Sequence, residues 1–127
     1  MQESIDILYN NCYGGFSLSD YALSEYYNRE NNIDTDMNDS LIQRHDPILV
    51  NIYQEIGDKI NGSHSKIEIK KIPKKYKKYY VINEYDGLES VGIDYNLYKL
   101  DKIKEIVNNN TDSTIKVEEI KNILKIN

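Results

Sequence analysis

YYVINEYDGLESV, residues 79–91, decides the fold. Tyr79 to Tyr85 are aromatic or β-branched at most positions, which suits a half-buried pleated strand. Asp86-Gly87 follows, and then Leu88-Glu89-Ser90-Val91. A type I′ turn needs positive φ at both central residues, and Asp-Gly tolerates that at little cost. The stretch therefore predicts a β-hairpin in which Tyr85 and Leu88 face each other. A two-residue turn leaves its strands antiparallel, so the rest of the chain is read as strands and helices added to such a pair.

Upstream, Ile67 and Ile69 alternate with Lys66, Glu68 and Lys70, predicting a strand over 66–72 that Pro73 ends. Near the start, Ile5, Ile7 and Tyr9 alternate with Asp6 and Leu8, predicting a short first strand. Two helices fall between. Ser19 is a natural N-cap with Leu18 and Leu23 placed as a hydrophobic staple. Leu18, Ala22, Leu23, Tyr26 and Tyr27 share one face, and the pattern fades at residues 28–32. Residues 31–41 are polar and aperiodic, as in a surface loop. Asp46-Pro47 opens the second helix, proline costing nothing at a position whose N–H is unpaired anyway. Ile48, Leu49, Ile52, Tyr53, Ile56 and Ile60 form its apolar stripe, Glu55 and Lys59 pair along it, and Asn61-Gly62 is the expected stop.

Downstream, Leu97, Leu100, Ile103, Ile106 and Val107 mark a third helix ending at 108–110. A last helix is expected to start near Val117. Glu118 and Glu119 suit its positive end and Lys121 and Lys125 its negative end, with Ile120, Ile123 and Leu124 as the buried side. The order β-α-α-β-β-β-α-α defines an α+β fold. It implies a small, mostly antiparallel sheet of about four strands, hairpin included, with about four helices packed on it.

The 127 residues suit a single domain, 1–127, whose last part, 108–127, is a helical extension. No apolar run approaches the ~18 residues of a membrane span, so no membrane association is expected. The acidic start, Met1 to Asp6, lacks the basic and apolar regions of a signal peptide. With one cysteine there is no internal disulfide. Together these point to an intracellular protein. Twelve tyrosines, no tryptophan and many Asn, Ile and Lys residues indicate an A+T-rich gene. Net charge is −5, but residues 1–62 set three cations against eleven carboxylates, a net −8, whereas residues 63–127 carry +3. Such asymmetry marks an interaction surface or merely aids solubility.

The stretch NCYGGFSLSD, residues 11–20, places two glycines between a strand and a helix start. Amides near Tyr13, Gly14, Gly15 and Ser17 could converge on an anion. No P-loop or dinucleotide fingerprint accompanies them, and the plainer reading is a tight turn that passes close to a neighbour. Arg44, with a planar fork suited to carboxylate or phosphate, and Asp46 flank the second helix start. Arg44 either binds a ligand or ties its loop to an acid such as Asp86. Glu84, Asp86 and Glu89 bracket the hairpin turn and suit acid–base work or plain solvent exposure. Cys12 is a candidate nucleophile with His45 or His64 as base, or a small buried hydrophobe. The histidines and Cys12 lack metal-ligand spacing, so neither a metal nor a cofactor is expected. Lys70, Lys71, Lys74, Lys75, Lys77 and Lys78 interleave with Tyr76, Tyr79 and Tyr80 as in a nucleic-acid footprint. The acidic net charge disfavours nucleic acid as the partner.

CYGGFSLS at 12–19, RHDPILV at 44–50, EIGDKINGS at 55–63, KIEIKKIP at 66–73 and INEYDGLESV at 82–91 occur in that order. This set resembles a family of small uncharacterised proteins of phages and giant DNA viruses, over roughly residues 5–107. The resemblance implies a viral origin, in host cytoplasm or virion, and no known activity. It highlights Cys12 to Phe16, Ser19, Arg44, Asp46, Pro47, Gly57, Glu84 to Gly87 and Glu89. The chain departs from it after Pro73, where lysines replace acids, and in the tail after residue 108.

The expectation is a non-enzymatic binding module for a protein partner or a small anionic ligand, using the Gly-Gly turn, Arg44 and the hairpin turn as one surface. The candidate ligand-binding residues are Tyr13, Gly14, Gly15, Ser17, Arg44, Asp46, Glu84, Asp86 and Glu89. Alternatives are a small enzyme using Cys12 or the Glu84, Asp86 and Glu89 carboxylates, and a self-associating virion protein. The oligomeric state is left open.

Overall fold

A computed structural model describes residues 3–31, 38–109 and 112–126. Its elements run β1 (Ser4–Asn10), α1 (Asp20–Arg29), α2 (Pro47–Ile56), β2 (Ile67–Pro73), β3 (Tyr80–Tyr85), β4 (Leu88–Ile93), α3 (Tyr95–Asn108) and α4 (Ser113–Leu124), with short 3₁₀ turns at Asp39–Leu41, Gly57–Ile60 and Lys74–Tyr76. The fold is α+β, with four antiparallel strands and four helices. The strands form two separate two-stranded pieces, β1 with β2 and β3 with β4, where the sequence suggested one sheet.

The hairpin has the expected register, Tyr85 opposite Leu88, and its turn has φ of 51° at Asp86 and 88° at Gly87. The helix starts also follow the sequence. Ser19 Oγ accepts the Ala22 amide at 3.2 Å, and Asp46 Oδ1 accepts those of Ile48 and Leu49 at 2.9 and 3.4 Å. Both caps satisfy amides that the first helical turn leaves unpaired.

Four expectations fail. The second helix stops at Gly57, not at Asn61-Gly62. Gly57 takes φ of 58° and its N–H bonds the Tyr53 carbonyl, after which a 3₁₀ turn brings Ile60 back into the core. Apolar spacing continued past the break because Ile60 is buried by that turn instead of by the helix. Glu55 accordingly pairs with Arg29 of α1 at 2.6 Å and not with Lys59. The last helix begins at Ser113, capped by Asp112, four residues before Val117. Its expected buried side is half-open, with Leu124 60% exposed, because α4 packs mainly on α3. Most of the 31–41 loop lies outside the described residues, and Asp39–Leu41 forms a 3₁₀ turn.

β1 divides the core. Leu8 faces an aliphatic cluster of Ala22, Leu49, Ile52, Ile60 and Ile67, all at most 2% exposed. Ile7 faces a second cluster built on Ile72, Tyr76 and Tyr98. Alternation along a strand sends neighbours to opposite faces, so this strand contributes to both. None of the helices among the described residues is long and apolar enough to cross a membrane.

Candidate functional site

β1 has one edge on β2; the other faces β4 without a backbone ladder. The groups on that open edge are met by Arg44 and Glu89. Leu8 N–H donates to the Arg44 carbonyl at 2.9 Å, and Asn10 N–H donates to Glu89 Oε1 at 2.8 Å. The Arg44 guanidinium donates both ways to the Glu89 carboxylate, at 2.7 and 3.0 Å, and reaches the Leu8 carbonyl at 3.5 Å. Its flat face lies 3.6 Å from the centre of the Phe16 ring. A two-pronged arginine–carboxylate pair stacked on an aromatic ring uses what lysine cannot supply. Both members are largely buried, with Arg44 and Glu89 side chains 21% and 7% exposed.

The Gly-Gly turn and the hairpin turn close on this pair. A side chain at Gly87 would collide with the Tyr13 carbonyl and lie 2.6 Å from the Gly15 amide. A side chain at Gly14 would collide with the His64 backbone. Thus Gly14 and Gly87 are required by close approach, and Gly15, at φ 88° with open space around it, by backbone conformation alone. Asn10, fully buried, fastens the junction: its Nδ2 donates to the Cys12 and Gly87 carbonyls, both at 2.8 Å, and its Oδ1 accepts the Lys66 amide at 2.7 Å.

The structure therefore brings Tyr13, Gly14, Gly15, Arg44, Glu84, Asp86 and Glu89 to one junction. Glu84 Oε1 accepts the Gly87 amide at 2.6 Å. Ser17 and Asp46 are engaged elsewhere. The Ser17 carbonyl accepts from the Gly62 amide and Ser65 Oγ, at 3.0 and 2.7 Å. Asp46 caps α2 and accepts the Tyr26 hydroxyl at 2.7 Å. Burial, and then that carboxylate, push the Tyr26 hydroxyl well above its ordinary value. Arg44 is tied to Glu89, the second strand residue beyond the turn, where the sequence offered an acid such as Asp86. The Cys12 thiol lies 3.1 Å from the His64 carbonyl and 3.3 Å from Asn10 Oδ1, so His64 presents its backbone to the sulfur.

Against the junction lies an open cleft of about 460 Å³, lined by Tyr9, Asn11, Asn83, Glu84, Tyr85, Leu88, Glu89 and Ser90. Tyr85 is 77% exposed beside it, and Tyr13 64%. Tyr9 is fixed by donating to Glu68 at 3.3 Å, and Asn11 Nδ2 donates to the same oxygen at 2.9 Å. Burial, with the Glu68 charge second, raises the Tyr9 hydroxyl above its usual range. Among the described residues, the lining holds carboxylates, amides and aromatic rings but no cation. Tyr9, Asn10 and Asn11 were missed in the sequence. Tyr9 was read only as a strand position, and nothing local marks an asparagine whose partners lie as far off as residue 89.

Among the described residues no group of three or more His, Cys, Asp or Glu side chains is placed to hold a metal ion. No family model, curated protein or solved structure matches the chain.

Proposed function

We propose that the protein is a non-enzymatic binding module that holds a segment of a partner protein in the cleft beside the Arg44–Glu89 junction. The observation that carries this is the pairing of a braced wall with an exposed aromatic rim. Tyr85 stands 77% exposed over a 460 Å³ cleft in which Tyr9, Asn11, Glu84 and Glu89 are held by hydrogen bonds. Rigid tyrosines give large contact area at small entropic cost and recur as binding hot spots. Of the two ligands expected, the protein partner suits the cleft better than the small anion. Among the described residues the cation at the junction, Arg44, is already paired with Glu89, and the lining offers carboxylates and amides that suit a basic or amide-rich segment. The A+T-rich composition and the motif set support a viral protein acting inside a host cell on a host factor, and the single cysteine supports a reducing compartment.

The test is capture of partners from infected-cell lysate by wild type and by Tyr85→Ala, with melting measured in parallel. Hot-spot truncation is expected to cut capture of a specific partner at least about tenfold. The melting temperature should stay put, because the ring is exposed. Undiminished capture by Tyr85→Ala would sink the assignment of this cleft.

A further inference from the structure

A second cleft, of about 280 Å³, lies on another part of the surface between the Lys74–Tyr76 turn and α3. Lys74, Lys75, Lys77, Lys78 and Lys102 line it, with Tyr79 and a single carboxylate, Glu105. Lys102 pairs with that carboxylate at 3.3 Å, and Lys74 with Glu3 at 3.4 Å. Among the described residues, Lys75, Lys77 and Lys78 have no ion-pair partner.

The backbone that carries these lysines is held firmly. Tyr76 is buried, its ring edge-on to Tyr95 and Tyr98 at 5.3 and 4.9 Å. The Tyr79 amide bonds the Tyr76 carbonyl at 2.8 Å, its carbonyl accepts the Asp94 amide at 2.7 Å, and its hydroxyl donates to Asp101 at 2.9 Å. Lysines that only keep a strand edge soluble can be spread along it, as Lys70 and Lys71 are on β2. Here they converge on a concavity from two elements, where like charges repel until a counter-charge arrives.

We infer that this cleft binds a small ligand carrying a chain of two or more phosphoryl groups. Ammonium groups are compact point charges and recur as phosphate binders. At about 280 Å³ the concavity sits just under the range of drug-sized pockets, which suits a compact ligand, and the chain's net charge of −5 repels a long polyanion. The phosphoryl chain can belong to inorganic oligophosphate or to a nucleotide.

Titration calorimetry of the full chain with inorganic tripolyphosphate, ATP, orthophosphate and citrate tests this. Tripolyphosphate is expected to bind more tightly than orthophosphate or citrate, and less tightly as salt rises, because screening weakens exposed charge pairs. Similar affinity for ATP means that the phosphates alone are read; tighter binding of ATP means that the nucleoside is read too. The triple variant Lys75→Gln, Lys77→Gln, Lys78→Gln should lose at least about tenfold in tripolyphosphate affinity, about 1.4 kcal/mol. Its melting temperature should move little, since these side chains are exposed and make no ion pair among the described residues, Lys75 alone resting over the Tyr76 ring at 5.1 Å. The control Lys121→Gln, Lys125→Gln on and just past α4 should bind as wild type. Undetectable tripolyphosphate binding at millimolar concentration, or equal affinity in the triple variant, overturns the assignment. Binding of a twelve-nucleotide single strand without tripolyphosphate binding would replace it with a nucleic-acid site.

Discussion

The two clusters either side of β1 differ in kind. The Leu8 side is mainly aliphatic and closed: Leu49, Ile52 and Ile60 are wholly buried, and its two buried tyrosines, Tyr26 and Tyr27, donate their hydroxyls to Asp46 and the Asn38 carbonyl. The Ile7 side is smaller and proportionally richer in tyrosine: Tyr76, Tyr79, Tyr80 and Tyr98, whose rings meet edge-on or face polar partners, stand among Ile5, Ile72, Ile82, Val91 and Ile93. Aliphatic side chains leave nothing to satisfy once buried, so apart from the Tyr26 and Tyr27 hydroxyls that side needs only volume and shape. A tyrosine brings a hydroxyl that must reach water or a partner, so that side stays near the surface. Tyr79 donates to Asp101, and the Tyr80 hydroxyl lies 2.7 Å from His45 Nδ1. The lysine cleft lies along the tyrosine side, and the cleft beside Tyr85 opens from the hairpin that side supports. Stability and exposure are thus divided between the two faces of one strand.

The largest expected effect breaks the aliphatic side. Ile52→Ala should cost about 3–4 kcal/mol, the usual cost of a cavity in a closed core, read from urea denaturation.

Next comes the fastening between the halves. Glu89→Gln keeps an acceptor for the Asn10 amide but strands the Arg44 guanidinium, at a cost of about 3 kcal/mol. Arg44→Met alone leaves Glu89 uncompensated and should be similar. The double variant removes both charges, keeps the Asn10 acceptor and lets methionine lie on Phe16. It should be more stable than the sum of the singles by about 1–3 kcal/mol. Additive losses would mean that the pair contributes nothing as a pair.

The smallest effect sharpens the polar side. Burial, with Lys77 second, lowers the His45 pKa from its ordinary value of 6.5, against the smaller opposing pull of Asp46. The unfolded chain then takes up the proton first as pH falls, so the stability from neutral His45 is complete above about pH 6.5 and declines below it towards the lowered folded value. His45→Gln should flatten that decline in a melting-temperature series from pH 7.5 to 5; an unchanged slope would exclude His45 as its source.

What the sequence revealed was local. The Asp-Gly turn, the Ser19 and Asp46 caps and the Gly-Gly bend each depend on a few adjacent residues, and each was found where expected. The second helix stop was misplaced because Gly57 breaks the backbone inside an unbroken apolar period. The division of the strands into two pieces was not legible, because β1's open edge is met by side chains, and side-chain pairing leaves no periodic trace. Of the site, Arg44, Glu84 and Glu89 were named from their chemistry. Asn10 and the identity of Arg44's carboxylate were not, because they are set by packing between segments 36 to 79 residues apart.

That separation sets an order of assembly. The Asn10 amide waits for a carboxylate 79 positions later, so during synthesis the Asn10 end of that border of β1 stays uncovered until residue 89 has emerged. Such distant closures are slow, and unpaired strand borders invite association with other nascent chains. Holdase chaperones that shield β1 during synthesis would therefore raise the yield of this protein more than they raise its final stability.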